Sequence, residues 1–187
     1  TLVTRSVAST AFDATYAREC ASSALTRAIE EYEGTMEREM SDDVVVALAL
    51  AAARREPESA SPLLGAYAAS LPTDAVSTPA LYEDEAFEAL VPLLSLHFID
   101  RVDAARREFA LAYDDARQTY ALARGGDVLE EHEFAWAWSM VRSRAITFEV
   151  KKASTGRIER KRCLVPVCDV FNHSPTSLSG DADAEDG

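Results

Sequence analysis

From Leu96 to about Ala123 the chain repeats apolar residues in steps of three and four: Phe98, Val102, Ala105, Phe109, Ala112, Ala116 and Tyr120. At 3.6 residues per turn these share one face of a helix. Asp100, Arg101, Asp103, Arg106, Arg107, Asp114, Asp115 and Arg117 cover the other face. A helix of that length cannot bury its own apolar stripe. Other elements must lie along it, so the fold has to contain a substantial helical layer. Gly125-Gly126 then ends the helix, as glycine does where the backbone must leave the right-handed region.

The chain supplies such partners. Ser41 and Asp42 can cap a helix whose apolar positions are Val44, Val45, Leu48, Ala51 and Ala52. Arg54 and Arg55 suit its C-terminal dipole, and Pro57 stops it. Leu63, Leu64, Tyr67, Ala68 and Leu71 predict a second short helix ending at Pro72, followed by a Pro/Ser/Thr loop through Pro79. A third apolar set includes Leu81, Tyr82, Phe87, Leu90, Leu94 and Leu96. Upstream, Tyr16, Cys20, Ala24 and Ala28 have helical spacing with Gly34 beyond them, which fits one helix or a poorly ordered surface segment. Residues 1–10 suit a short strand and a loop.

After the double glycine, Asp127-Val128-Leu129-Glu130 has capping-box spacing, and early Glu130, Glu131 and Glu133 suit a helix N-terminus. Phe134, Trp138 and Val141 form one stripe with Trp136 and Met140 beside it, which predicts an aromatic core. Beyond Arg142 the period turns strand-like: residues 145–150, a turn at Ser154-Thr155-Gly156, and a return strand over 157–167. The expected class is α+β, a helical mass flanked by short strands.

The chain has 187 residues, 48% of them apolar, room for one domain or one domain with an insertion. Its net charge of −13 argues against nonspecific binding of nucleic acid or an anionic membrane surface. The last eight residues, 180–187, are acidic and read as a disordered tail. The sign reverses locally: Lys151, Lys152, Arg157, Arg160, Lys161 and Arg162 face Glu159 alone, either a solvated hairpin or a docking patch for an acidic partner. No run of about 18 apolar residues predicts a transmembrane helix, and no signal-peptide pattern opens the chain. Three cysteines without a CxxC spacing fit a reducing, intracellular compartment, whether cytoplasm, nucleus or plastid. Cys163, Cys168 and His173 recur every five residues, but that spacing matches no usual zinc site.

Chemistry concentrates after the return strand. Leu164-Val165-Pro166-Val167-Cys168 is apolar, and Asp169, Val170, Phe171, Asn172 and His173 follow at once. A carboxylate, an amide and an imidazole so close together can read a polar ligand by its donors and acceptors, or can simply cap a turn. Two motifs favour the first reading. Phe134-Ala135-Trp136-Ala137-Trp138-Ser139-Met140-Val141-Arg142-Ser143-Arg144-Ala145 resembles the helix-to-strand "WA…V.SRAF" segment of SET-domain methyltransferases, in the subgroup of the Rubisco large-subunit methyltransferase. Leu164-Val165-Pro166 with Asp169 and Asn172-His173-Ser174 resembles that subgroup's "LVP..D..NHS" segment. Leu48-Ala49-Leu50, Tyr67 and Leu71-Pro72 resemble its upstream helix pair, although Leu64 stands where Trp is usual and Ile146 near a usual Phe.

The resemblance implies transfer of a methyl group from S-adenosyl-L-methionine to a lysine of a protein substrate, or in one branch to a histidine, without a metal. It implies a partial SET domain over residues 1–179: a helical insertion over about 41–142, strands and a cofactor segment over 143–175. It further implies that Arg144 meets the cofactor's carboxylate region, and that Asp169, Val170, Phe171, Asn172 and His173 line the cofactor pocket. Asn172 and His173 would hold its adenine and amino-acid ends. The family's glycine-containing cofactor loop is expected before Thr1 and its catalytic tyrosine after Gly187, so no catalytic residue is assigned here. Ser143 reads as a strand-start residue, and His97 and His132 as structural or solvated. A helical interaction module with a vestigial cofactor site is the competing expectation.

Overall fold

The structure, a computed structural model, describes residues 11–151 and 158–166. Seven helices precede one pair of strands among these residues: α1 (Ala14–Cys20), α2 (Ser23–Met36), α3 (Asp42–Arg55), α4 (Pro62–Ser70), α5 (Asp84–Leu90), α6 (Leu96–Ala123), α7 (Glu131–Arg144), β1 (Ile146–Lys151) and β2 (Ile158–Cys163). Single 3-10 turns occupy Pro57–Ser59, Pro79–Leu81 and Val91–Leu93. The described fold is α+β, mostly helical with a two-stranded antiparallel sheet. None of its helices is long and apolar enough to cross a membrane.

Helix α3 is the hub. Every residue over 44–53 is buried, so the helix is apolar on all sides. Such a helix is stable only when neighbours enclose it, and α1, α4, α6 and α7 do so. Its small residues, among them Ala47, Ala49 and Ala51, let those neighbours approach. Ser41 is its N-cap, Asp42 and Asp43 occupy its first turn, and Arg54 and Arg55 its last.

The long helix α6 follows the predicted bounds, but its apolar stripe is only partly covered. Val102, Phe109, Ala112, Ala116 and Tyr120 are buried, whereas Phe98 is exposed. The reason is length: 28 residues span about 42 Å and the 14 residues of α3 about 21 Å, so α6 outruns its partner. Asp115, assigned by pattern to the outer face, is buried. It accepts from the Tyr32 hydroxyl at 2.8 Å and pairs with the Arg38 guanidinium.

Upstream of residue 41 the chain forms two helices, with Asp13 and Ser22 as N-caps. The residues Tyr16, Cys20, Ala24 and Ala28 are therefore divided between α1 and α2, and the buried face of α2 is Leu25, Ala28, Ile29 and Tyr32. Gly34 lies inside α2, which ends instead at Glu37 in the left-handed region, φ 50°. The capping box of α7 is displaced by three residues from its predicted place. Glu130 is the N-cap, and its N–H donates to the Glu133 carboxylate at 3.0 Å. Asp127 instead pairs with Arg55 at 3.1 Å.

Candidate functional site

The candidate site is organised by α7. Its aromatic residues are core, as their spacing predicts: Phe134, Trp136 and Trp138 are buried. Phe109 of α6 packs against Phe134 and Trp138, with centroids 6.0 and 6.4 Å away. The other flank is pinned by polar contacts. Trp136 Nε1 donates to the Pro72 carbonyl at 2.7 Å, and the Arg54 guanidinium lies 4.1 Å from the Trp136 ring centroid. Ser139 Oγ is buried, accepts from the Val76 N–H at 3.0 Å and donates to the Trp136 carbonyl at 2.7 Å. The loop after α4 is thereby fixed along α7. Ser143 Oγ donates back to the Ser139 carbonyl at 2.6 Å, a helix-internal bond that fits a structural serine better than a nucleophile.

Two arginines end α7, and their surroundings differ. Arg142 Nη1 reaches both Asp43 and Glu108 at 3.2 Å, and its guanidinium lies 5.5 Å from the Trp138 centroid. Asp43 also takes Arg162 of β2, so one carboxylate ties α3, α7 and β2 together. Arg144 is half-buried and has no carboxylate within 4.0 Å among the described residues. Its Nη1 donates to the neighbouring Ser143 Oγ at 3.4 Å. A guanidinium without an anionic partner among the described residues is chemically suited to an anionic ligand.

The hairpin determines what comes near that guanidinium. In the antiparallel register Ile146 faces Cys163, and the pairing runs on to Lys151 opposite Ile158. Arg144 and Val165 therefore flank the same end of the ladder, two residues beyond the Ile146–Cys163 pair. Leu164 is held there by reciprocal backbone bonds with Phe12, at 2.7 and 3.1 Å. Asp169, Val170, Phe171, Asn172 and His173, with the acidic tail and the turn at residues 154–156, lie outside the described residues.

The basic window is largely engaged within the fold where it is described. Arg160 pairs with Glu149 at 3.3 Å, Lys161 with Asp13 at 2.9 Å, and Arg162 with Asp43. These contacts favour the hairpin reading of the window over a docking patch. Cys163 is buried, and burial, then the charge of Asp13, push its thiol up to about 11 against the pull of Lys161. A protonated buried thiol is a poor metal ligand. No group of three or more His, Cys, Asp and Glu side chains among the described residues could hold a metal ion. Burial, followed by the charges of Asp13 and Asp43, also raises the carboxyl of Asp42 at the start of α3.

An open cleft of about 920 Å³ lies at the opposite end of α7, lined by Leu81, Tyr82, Arg106, Phe109, His132 and Ala135 among others. From His132 to Arg144 is about 18 Å along the helix axis, so this cleft and the Arg144 site are separate. Asp43 and Ser139 hold α7 to its neighbours, contacts that local pattern does not reveal. Compared with protein-family models and with curated proteins, the chain matches none.

Proposed function

We propose that the chain belongs to an S-adenosyl-L-methionine-dependent protein-lysine N-methyltransferase of the SET class. One observation carries the reading. The tryptophan-rich helix ends in Arg144, and the hairpin register returns Leu164-Val165-Pro166, the start of the second motif, to the same end of the ladder. The end of the first motif and the described start of the second thus flank one end of one hairpin.

Arg144 suits the anionic end of the cofactor. S-adenosyl-L-methionine presents a carboxylate, and Arg144 offers a planar fork with no internal carboxylate partner among the described residues. Arg144 would hold that end, and Asp169, Val170, Phe171, Asn172 and His173 would supply the remaining donors, acceptors and apolar wall. The cofactor supplies an electrophilic methyl group when bound. The protein has to hold donor and acceptor in line, and to keep the acceptor lysine neutral by excluding water from a side chain whose free pKa is about 10.4. A site built at the end of a helix locked by Trp136, Ser139 and Asp43 suits that demand for fixed geometry.

Calorimetric titration of S-adenosyl-L-methionine tests the proposal, using the 187-residue chain and the complete open reading frame that contains it. Binding is expected in the complete protein, weakened by about 1–3 kcal/mol in Arg144→Ala through loss of a charged hydrogen bond. Absence of binding in both folded proteins, or unchanged affinity in the variant, would sink the assignment.

A further inference from the structure

Residues 90–98 read Leu-Val-Pro-Leu-Leu-Ser-Leu-His-Phe and lead from the end of α5, through the Val91–Leu93 turn, into the first turn of α6. Leu90, Leu93, Leu96 and Phe98 are all exposed, Leu93 to 80% and Leu96 to 82%. Isolated exposed leucines are ordinary. Leu90, Leu93 and Leu96 fall within seven residues, a concentration of the kind that marks a contact, while Phe98, two positions on in the helix, faces another way.

The charges around the knuckle select among occupants. Glu83, Glu85 and Glu88 precede it, and Asp100 and Asp103 follow it. None of these five carboxylates is in an ion pair among the described residues, whereas Asp84 is held by Arg106. Arg101 is the cation set among them. An apolar segment flanked in the chain by unpaired acid repels an anionic membrane, nucleic acid and a second copy of a chain with net charge −13. It complements apolar anchors set among lysines and arginines.

We infer that the 90–98 knuckle is a docking surface for a basic amphipathic helix of a partner protein, with leucine-type anchors on the exposed leucines and cations on the flanking carboxylates. The inference stands on the surface alone and is independent of the methyltransferase reading.

The probe is a fluorescein-labelled amphipathic Leu/Lys peptide, compared with a Leu/Glu peptide and a leucine-free Lys peptide, by anisotropy against the 187-residue chain. The Leu/Lys peptide is expected to bind, and to weaken on added salt. Leu93→Ser/Leu96→Ser should lose roughly tenfold or more in affinity, because truncating central anchors removes most of the binding energy. Glu85→Lys/Glu88→Lys should weaken binding as well. Leu111→Ser, at an exposed leucine farther along α6, should bind like the unmodified chain. Circular dichroism checks that each variant is folded. Equal affinity in the Leu93/Leu96 double variant would reduce the contact to general charge attraction and overturn the inference. So would failure of the Leu/Lys peptide to bind, equal binding of the Leu/Glu peptide, or self-association that the same double variant abolishes in sedimentation.

Discussion

Helix α3 and the 90–98 segment are similarly apolar, and the fold treats them in opposite ways. Residues 44–53 are buried on every side of α3, whereas Leu93 and Leu96 project into solvent. Hydrophobicity alone does not separate them. What separates them is enclosure: α3 is short and has four helices around it, while the 90–98 knuckle precedes the covered part of a helix longer than its neighbours. Among the described residues, α6 has one well-packed end, joined to α2 and α3, and one end without such cover.

The largest expected effect tests the enclosed side. Leu48→Ala should cost about 2–5 kcal/mol, since the side chain is fully buried and closely packed surroundings relax only partly into the void. Urea denaturation with an unchanged m-value would confirm it. A loss comparable to that of an exposed leucine would erase the contrast. Next, Asp43→Ala removes the acceptor shared by Arg142 and Arg162. Both arginines are partly exposed, so water recovers part of the loss, and about 1–2 kcal/mol is expected by the same assay.

A smaller effect sharpens the picture of the covered half of α6. Burial, then the hydrogen bond to Asp115 and that residue's charge, push the Tyr32 hydroxyl up to about 12 from 10.0. Tyr120 rises to about 12 as well, through burial and then its bond to Glu56. Below pH 10 both states hold the proton, and the stabilisation is fully present. Above it the unfolded chain ionises first, so stability falls as pH rises from 10 through about 12. Tyr32→Phe should flatten one part of that fall, visible in denaturation midpoints taken across the window. An identical pH profile in the variant would contradict the coupling. The smallest effect is expected on the exposed side: Leu93→Ser should stay within about 0.5 kcal/mol of the parent in thermal unfolding.

Much of this architecture is legible in the residue pattern because its signals are local. The cap and bounds of α3, the bounds of α6, the aromatic face of α7 and the strands after it follow from periodicity and from residues that begin or end elements. Local signals mislead at Gly34, which lies inside α2, and elsewhere a distant partner decides. Asp115 looks solvated by charge, yet it lies three positions beyond Ala112 on the buried face, and Tyr32 and Arg38 supply the bonds that let it stay there. Exposure of Phe98 depends on where the neighbouring helices stop. In the candidate site, Arg144 is legible as the end of a motif. Asp43 is not, because Arg142 and Arg162 meet it from 99 and 119 positions away and nothing in the local sequence records such a pairing. The remaining five proposed cofactor residues belong to the segment beyond the described residues.

The contact between the two ends of the described chain bears on how it emerges from a ribosome. Asp13 and Lys161 are 148 positions apart, and the neighbouring Phe12 and Leu164 exchange backbone hydrogen bonds. At about 5–20 residues per second, the early strand residue waits roughly 7–30 s for its partner to be synthesised. During that interval Phe12 can already stack on Tyr67, 5.0 Å away in the finished fold. Its free backbone edge is held only when the last part of the hairpin arrives, which makes this small bridge the latch that closes a nearly complete helical body.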